Sequence, residues 1–464
     1  MQKFILILLL LLSWAQLGMA QRAGKSEKSP RKKIEFVEYD LPNGLHVILH
    51  QDRSLPIVAT YMLYHVGSKN ERPDRTGFAH FFEHLMFEGT ENIKRGQIDK
   101  LVSGAGGSLN ASTSFDRTDY YLILPSNQLK LALWIESERM LHAKIDSIGV
   151  ETQRQVVKEE RRLRYENRPY GTVFFNMAAL AFEGTPYAWT PIGEAQYIDQ
   201  ASIEEFREFY KKYYVPNNAT LAIAGDFDLE ETKQLIEAYF GEIPRGKDIE
   251  RPKIEFALQT APKYKEVVKD NTPLPATIHV WRATHQRDKD AFALEILASV
   301  LANGKSARLY KRMVEDEQVA VNLSVFPFLQ ESAGMIAVLA IGNRGVEIET
   351  LDKIIDEEIK KIVEKGITAE ELEKAKNQKE TEWANAFGSM FSRAVNLANY
   401  YRFYGNTNLI NTELEEYLKV TRQDVQRVAK KYLTEKNRSL IHYPTPDKRK
   451  SVEPKPNAIM SRLA

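Results

Sequence analysis

Residues 80–84 read His-Phe-Phe-Glu-His, a spacing that could do metal chemistry. On an α-helix, positions i, i+3 and i+4 share a face, so His80, Glu83 and His84 project together while Phe78, Phe81, Phe82 and Leu85 cover the opposite side. Two imidazoles one turn apart can close on a zinc ion at ~2.0–2.1 Å each, leaving Glu83 to reach an activated water as general base. The blander reading is a buried helix whose histidines bond locally. Only nine histidines occur in 464 residues, however, and two of them flank this carboxylate.

A third ligand must come from elsewhere in the chain. Residues 150–166 read as a helix whose apolar stripe runs through Val156 and Leu163, and Glu160 lies on that stripe, four residues from Val156. A carboxylate facing inward needs a partner, either a local arginine or a metal. Glu159 sits about 100° further round the helix and faces away.

The order H-x-x-E-H reverses the commoner H-E-x-x-H and is the inverzincin signature. HFFEHLMFEGT resembles the zinc helix of the pitrilysin, insulysin and mitochondrial processing peptidase family. GGSLNASTSFDRTDYY (106–121), QRQVVKEERR (153–162) and YYVPNNATLAIAGDFD (213–228) are similar to further stretches of that family, and LANGKSARLYKRM (301–313) is so more weakly. The resemblance implies an α+β fold of two homologous α/β domains, each a mostly antiparallel sheet packed with helices, together forming half of a clamshell chamber. It implies a zinc endopeptidase for peptides or unfolded segments, with one Zn2+ per chain on His80, His84 and Glu160, and Glu83 as general base. Substrate would add as a strand to Leu109–Ser114, with Asn110, Ala111 and Ser112 lining the cleft. The rival function is a non-catalytic structural or peptide-binding subunit.

Two departures from the family matter. Gln153 stands where relatives commonly place a glutamate behind the metal, and an amide brings no charge. Active members also carry an arginine and, seven residues later, a tyrosine in the domain that closes over the zinc. Alignment puts Val314 and Val321 there, with Arg312 and Asn322 as a looser alternative. A homologous partner subunit supplying that pair is therefore expected, since a homodimer would lack both donors.

The elements that position these residues follow from patterning. Residues 1–20 read as a signal peptide cleaved after Ala20, 21–33 as a flexible leader, 34–243 as the zinc-binding domain and 244–262 as a linker. Residues 263–443 read as a second homologous domain without a metal site, and 444–464 as a basic extension. Export to the periplasm or medium is expected, with no membrane anchor after cleavage. A hairpin turns at Pro42-Asn43-Gly44, a strand follows at 57–66, and Gly89 is placed to end the zinc helix. His46, His50 and His65 read as strand or loop residues. Residues 109–115 and 118–125 read as adjoining strands and 127–143 as an amphipathic helix. LPATIHVWRA (274–283) echoes LPIVATYMLYH (55–65), and helices are expected up to about Leu433. The glycine cluster at 104–107 fits a turn, because Leu109 breaks the phosphate-loop pattern. A formal net charge of +1 implies no nucleic-acid partner, and the absence of cysteine excludes disulfides and thioether lipidation.

Overall fold

In the computed structural model, which describes residues 33–446 apart from 252 and 270, the alternating segments become strands. The expected signal peptide, nearly all of the leader and the extension from 447 onward lie outside the described residues. Val37–Asp40 (β1) and His46–Gln51 (β2) form the expected hairpin. Asn43 fixes its turn by donating to the carbonyls of Phe240 and Ile243 at 2.7 and 3.0 Å. Ile57–Tyr64 (β3), Ser108–Thr113 (β4), Thr118–Pro125 (β5) and Ala219–Gly225 (β6) complete a sheet of order β1-β2-β6-β3-β5-β4. Only the β2/β6 pair is parallel.

The second sheet comprises Lys263–Glu266 (β7), Ala276–Ala283 (β8), Ala320–Leu329 (β9), Gly334–Gly342 (β10) and Arg438–Tyr443 (β11). Its order is β7-β11-β8-β10-β9, again with one parallel pair, β7/β11, and antiparallel neighbours elsewhere. Without β1, the first sheet has the same plan, so β3 corresponds to β8 and the edge strand β4 to β9. Sequence patterning did not reveal β7 or β11: β7 is a short, charged, exposed KYKE, and β11 follows the last helix directly.

Each half lends a helix to the other. Val173–Ala181 comes from the first half, yet Met177, Ala178 and Ala181 pack with Ile278, Val280 and Ile441 of the second sheet. In return Met390–Asn399 lies on β3 and β6, with Phe391 against Tyr121 at 4.1 Å and Arg393 bonded to Asp52 at 2.5 Å. This exchange merges the described residues from Phe36 onward into one compact unit.

A buried ionic cluster closes the junction. In the β9–β10 turn, Glu331 accepts from His65 at 2.7 Å and pairs with Lys69, which also meets Asp116 of the β4–β5 turn at 2.7 Å. Asp116 in turn accepts the Glu331 backbone N–H at 2.9 Å and the Tyr187 hydroxyl at 2.7 Å. Burial holds the His65 imidazole down to about 4. Burial opposes ionisation of Glu331, but the hydrogen bond from His65 and the charge of Lys69 outweigh it and keep its carboxyl far below the usual range.

Both shifts give the same sign of pH dependence. Unfolded His65 takes up its proton near 6.5 while the folded ring resists to about 4, so stability falls as pH drops through that interval. Glu331 adds a further loss below its ordinary value of 4.5. Denaturant titration should show stability declining from pH 6.5 to 4, and Glu331→Gln should cost roughly 3 kcal/mol at neutral pH by breaking a buried pair. A flat profile, or a variant as stable as wild type, would contradict this role for the cluster.

Candidate metal centre and active site

The motif helix, Phe78–Leu85 (α1), has only eight residues. It ends before Gly89, which sits instead in the following turn at φ +110°, against the expected cap. A helix this short needs outside support, and it has three kinds. Phe78, Phe81 and Phe82 stack on Phe206 and Phe209 of helix Ile203–Tyr213, with centroids 4.6–5.1 Å apart for the closest pairs. At the N-terminus, where Gly77 offers no side-chain cap, the carboxyl of Glu71 accepts the N–H groups of Gly77 and Ala79 at 2.9 and 2.8 Å. Burial pushes that carboxyl up to about 8, while these N–H donors and Trp189 pull the other way. At the C-terminus, Arg139 donates to the Met86 carbonyl at 3.2 Å.

Arg139 belongs to Leu129–His142, the helix expected to be amphipathic. It is instead enclosed on nearly every side, with Glu136 and Arg139 0% and 1% exposed and bonded to each other at 2.9 Å. Thr90 and Asn92 satisfy Glu138 at 2.6 and 2.9 Å. Glu136, Glu138 and Arg139 are therefore buried and paired, Arg139 bracing the motif helix, while Lys130 faces solvent.

Ser147–Arg161 (α2) delivers Glu160. Glu160 Oε2 lies 3.5 Å from His80 Nε2 and 3.1 Å from His84 Nε2, and ligand atoms of the three residues all fall within 4.8 Å of one another. The second oxygen pairs with Arg164 at 2.7 Å. Glu159 points away, bonded to Arg162 at 2.6 Å. The stripe expected to bury Glu160 does not do so: Val156 and Leu163 are 43% and 51% exposed, and Val150, Arg154 and Val157 form the buried face. Val156 borders an open cavity, which is why an apolar stripe there is not a core.

Hydrogen-bond logic fixes the ring of His84. Glu88 only accepts when ionised, so Gln153 turns its Nε2 to Glu88 at 2.5 Å and its Oε1 to His84 Nδ1 at 3.1 Å. Nδ1 is then the donor, and in the neutral ring Nε2 carries the lone pair facing Glu160. Two acceptors at 3.1 Å call for a cation between them. Donors held at ~2.0–2.1 Å on a tetrahedral zinc stand about 3.3 Å apart, close to both separations seen here. Burial, together with the neighbouring His84, pushes His80 down to about 4, so its ring is neutral at pH 7, the form a metal requires. Burial opposes ionisation of Glu160, but the adjoining His84, His80 and Arg164 hold its carboxyl below the usual range. The donor set thus fits a zinc ion.

Glu83 stands on the same helix face, with Thr113 donating to its Oε2 at 2.6 Å. Burial pushes its carboxyl up, while the Thr113 hydrogen bond pulls the other way. His80, Glu83, His84, Gln153 and Glu160 line one cavity of about 760 Å³ together with Asn110, Ala111 and Ser112. These last three lie on β4, an edge strand paired only with β5. Because Ser114 N–H bonds to Arg117, ladder alternation turns the backbone groups of Leu109, Ala111 and Thr113 outward. Asn110 covers one of them, its Oδ1 accepting from Ala111 N–H at 2.9 Å. Val314, Val321, Arg312 and Asn322 do not line this cavity. Arg312 is bonded to Glu317, Glu357 and Glu358 at 2.6, 2.7 and 3.1 Å.

Glu71 and Arg139 were not recognisable from spacing, since each reaches the helix across a loop. Replacing Glu71 with alanine leaves two buried N–H groups without an acceptor and should cost ~1–3 kcal/mol, whereas Glu71→Gln keeps one acceptor oxygen and should cost less. Equal stability of wild type and both variants in urea would rule out the capping role.

Residues 46–192 match the family described as Insulinase (Peptidase family M16), and 200–379 match the one described as Peptidase M16 inactive domain. The chain is 31% identical over 396 residues to Zinc protease PqqE of Helicobacter pylori, covering 84% of this chain and 89% of that protein. A crystal structure of a protease from Helicobacter pylori superposes with a TM-score of 0.85 at 28% identity, over 89% of this chain and all of that one. The periplasmic protease PqqL from Escherichia coli shares the fold with a TM-score of 0.76 at 19% identity, but this chain spans only 51% of its length. The doubled sheet plan, the motif helix and these matches together show that the chain belongs to the M16 (insulinase) family of peptidases.

Proposed function

We propose that the chain is the zinc-binding subunit of an exported endopeptidase that cleaves peptides or unfolded segments in a closed chamber. The convergence of His80, His84 and Glu160 beside Glu83, beneath the open edge of β4, carries this reading. The matched region described as an inactive domain covers 200–379, outside the motif. His80, His84 and Glu160 would hold a zinc ion, which would supply Lewis acidity to a water and a carbonyl. The outward amides and carbonyls of Leu109, Ala111 and Thr113 pair with an extended substrate, and Asn110 swings off the Ala111 N–H as the added strand takes its place. Glu83, steadied by Thr113, accepts the proton of the attacking water and hands it to the departing amine. Gln153 keeps His84 in register. Export is supported by the apolar segment after Lys3, and no helix among the described residues is long and apolar enough to cross a membrane.

A partner subunit completes the site. Val314 and Val321 can donate no hydrogen bond to a developing oxyanion, and Arg312 is engaged by three carboxylates. That PqqL is about twice as long fits a pairing of two such halves.

Metal analysis should find one zinc per wild-type chain. His80→Ala, His84→Ala and Glu160→Ala should lose it, and Glu159→Ala should retain it. Glu83→Gln should retain zinc and lose hydrolysis, having removed a base and no ligand. Retention in Glu160→Ala with loss in Glu159→Ala would reverse the assignment.

The isolated, folded, zinc-loaded chain should cleave an unstructured peptide poorly. Adding a homologous subunit that carries the arginine and tyrosine should raise the rate by at least roughly 100- to 1,000-fold, since one oxyanion donor alone has that effect. Full activity in the isolated chain would refute the two-subunit reading.

A further inference from the structure

The two oxygens of Glu160 have different neighbours. Oε2 faces His80 Nε2 and His84 Nε2 at 3.5 and 3.1 Å, whereas Oε1 pairs with Arg164 at 2.7 Å. The carboxylate is 15% exposed, while Arg164 is 64% exposed and borders the cavity. Arg164 makes no other ion pair among the described residues.

Local structure directs this arginine to the carboxylate. Past Arg161, α2 widens into a π-helical turn, Arg162–Glu166, closed by the Asn167 N–H on the Arg162 carbonyl at 2.9 Å. Single π-helical turns recur at functional sites. Tyr165 fastens this one, its ring edge-on to Phe175 at 5.0 Å. The other cations of the helix are committed elsewhere. Lys158 meets Asp199 at 2.9 Å, Arg161 meets Glu166 and Glu194 at 2.9 and 2.8 Å, and Arg162 meets Glu159 at 2.6 Å. An exposed pair four residues apart adds little to helix stability, so the position of Arg164 bears mainly on what Oε1 can do.

A carboxylate with both oxygens free can chelate a metal and take two of its positions. A catalytic zinc instead has three protein ligands and keeps a fourth position for water. A guanidinium on one oxygen leaves only the other for the metal. We propose that Arg164 is a positioning residue that confines Glu160 to coordination through Oε2 and so keeps the fourth metal position open. The inference rests on the zinc-site reading above and deepens it.

The test loads the full chain with cobalt(II), whose visible bands are intense in four-coordinate sites and weak in five-coordinate ones. Wild type should show the intense spectrum. Arg164→Leu frees Oε1, and it should still bind one cobalt per chain but lose most of that intensity as the second oxygen enters. Arg164→Lys keeps a cation within reach of Oε1 and should retain the intense bands. In chelator competition, Arg164→Leu should hold zinc as tightly as wild type, without the ~10- to 100-fold loss typical when a group that merely supports a ligand is removed. Circular dichroism would verify that both variants fold. A weak spectrum already in wild type, an unchanged one in Arg164→Leu, an equal loss in Arg164→Lys, or a 10-fold or greater fall in zinc affinity in Arg164→Leu overturns this role and leaves the metal site standing. A wild-type chain that binds no metal, or binds it equally well without His80 and His84, overturns the zinc-site reading and this inference with it.

Discussion

The active-site arrangement depends on an eight-residue helix that could not persist in water by itself. Two imidazoles and a carboxylate must hold one face of it while its other face supplies little more than three phenylalanines and a leucine. The fold answers with a buried carboxyl at one end and a buried guanidinium at the other, Glu71 on the leading N–H groups and Arg139 on the Met86 carbonyl. Glu71 acts as an acceptor of orphan N–H groups, and the Arg139 guanidinium places its charge at the end of the helix that favours a cation. Arg139 is itself placed by Glu136, with the rings of Phe87 and Tyr120 below its guanidinium at 4.8 and 5.2 Å. The candidate ligands on this helix are thus positioned by polar groups that do not line the cavity.

Behind the histidines runs a chain of strict donor and acceptor roles. Arg95 pairs with Glu88, which turns Gln153, which turns His84, which leaves Nε2 and Glu160 facing each other. An amide holds the His84 ring here because Glu88 dictates its orientation. The second half contributes at longer range. Its Glu331 ties down the turn after β4, and its Met390–Asn399 helix packs on β3 and β6, so the sheet that carries the open β4 edge is backed from the second half.

Much of this was legible in the sequence. The motif helix and its apolar back, the hairpins, the β4–β5 pair and the duplicated plan all follow from period and turn chemistry. The choice of Glu160 over Glu159 for the inward face agrees with the geometry, although the reason given for it does not, since Val156 borders the cavity and Leu163 is exposed. Periodicity cannot separate a face buried in a core from one lining an open chamber. It also misread Leu129–His142, because buried Glu136 and Arg139 look like a solvent face until their mutual pairing is seen. Glu71, Arg139 and the Glu331 cluster act across loops or between halves, and nothing local announces them.

The most direct test of the account is diffraction above and below the zinc absorption edge from crystals of the zinc-loaded chain. An anomalous peak within about 2.3 Å of His80 Nε2, His84 Nε2 and a Glu160 oxygen, with Glu83 beside its open side, is the predicted result. A peak held by other residues, or zinc-loaded crystals with no peak in this cluster, would contradict it.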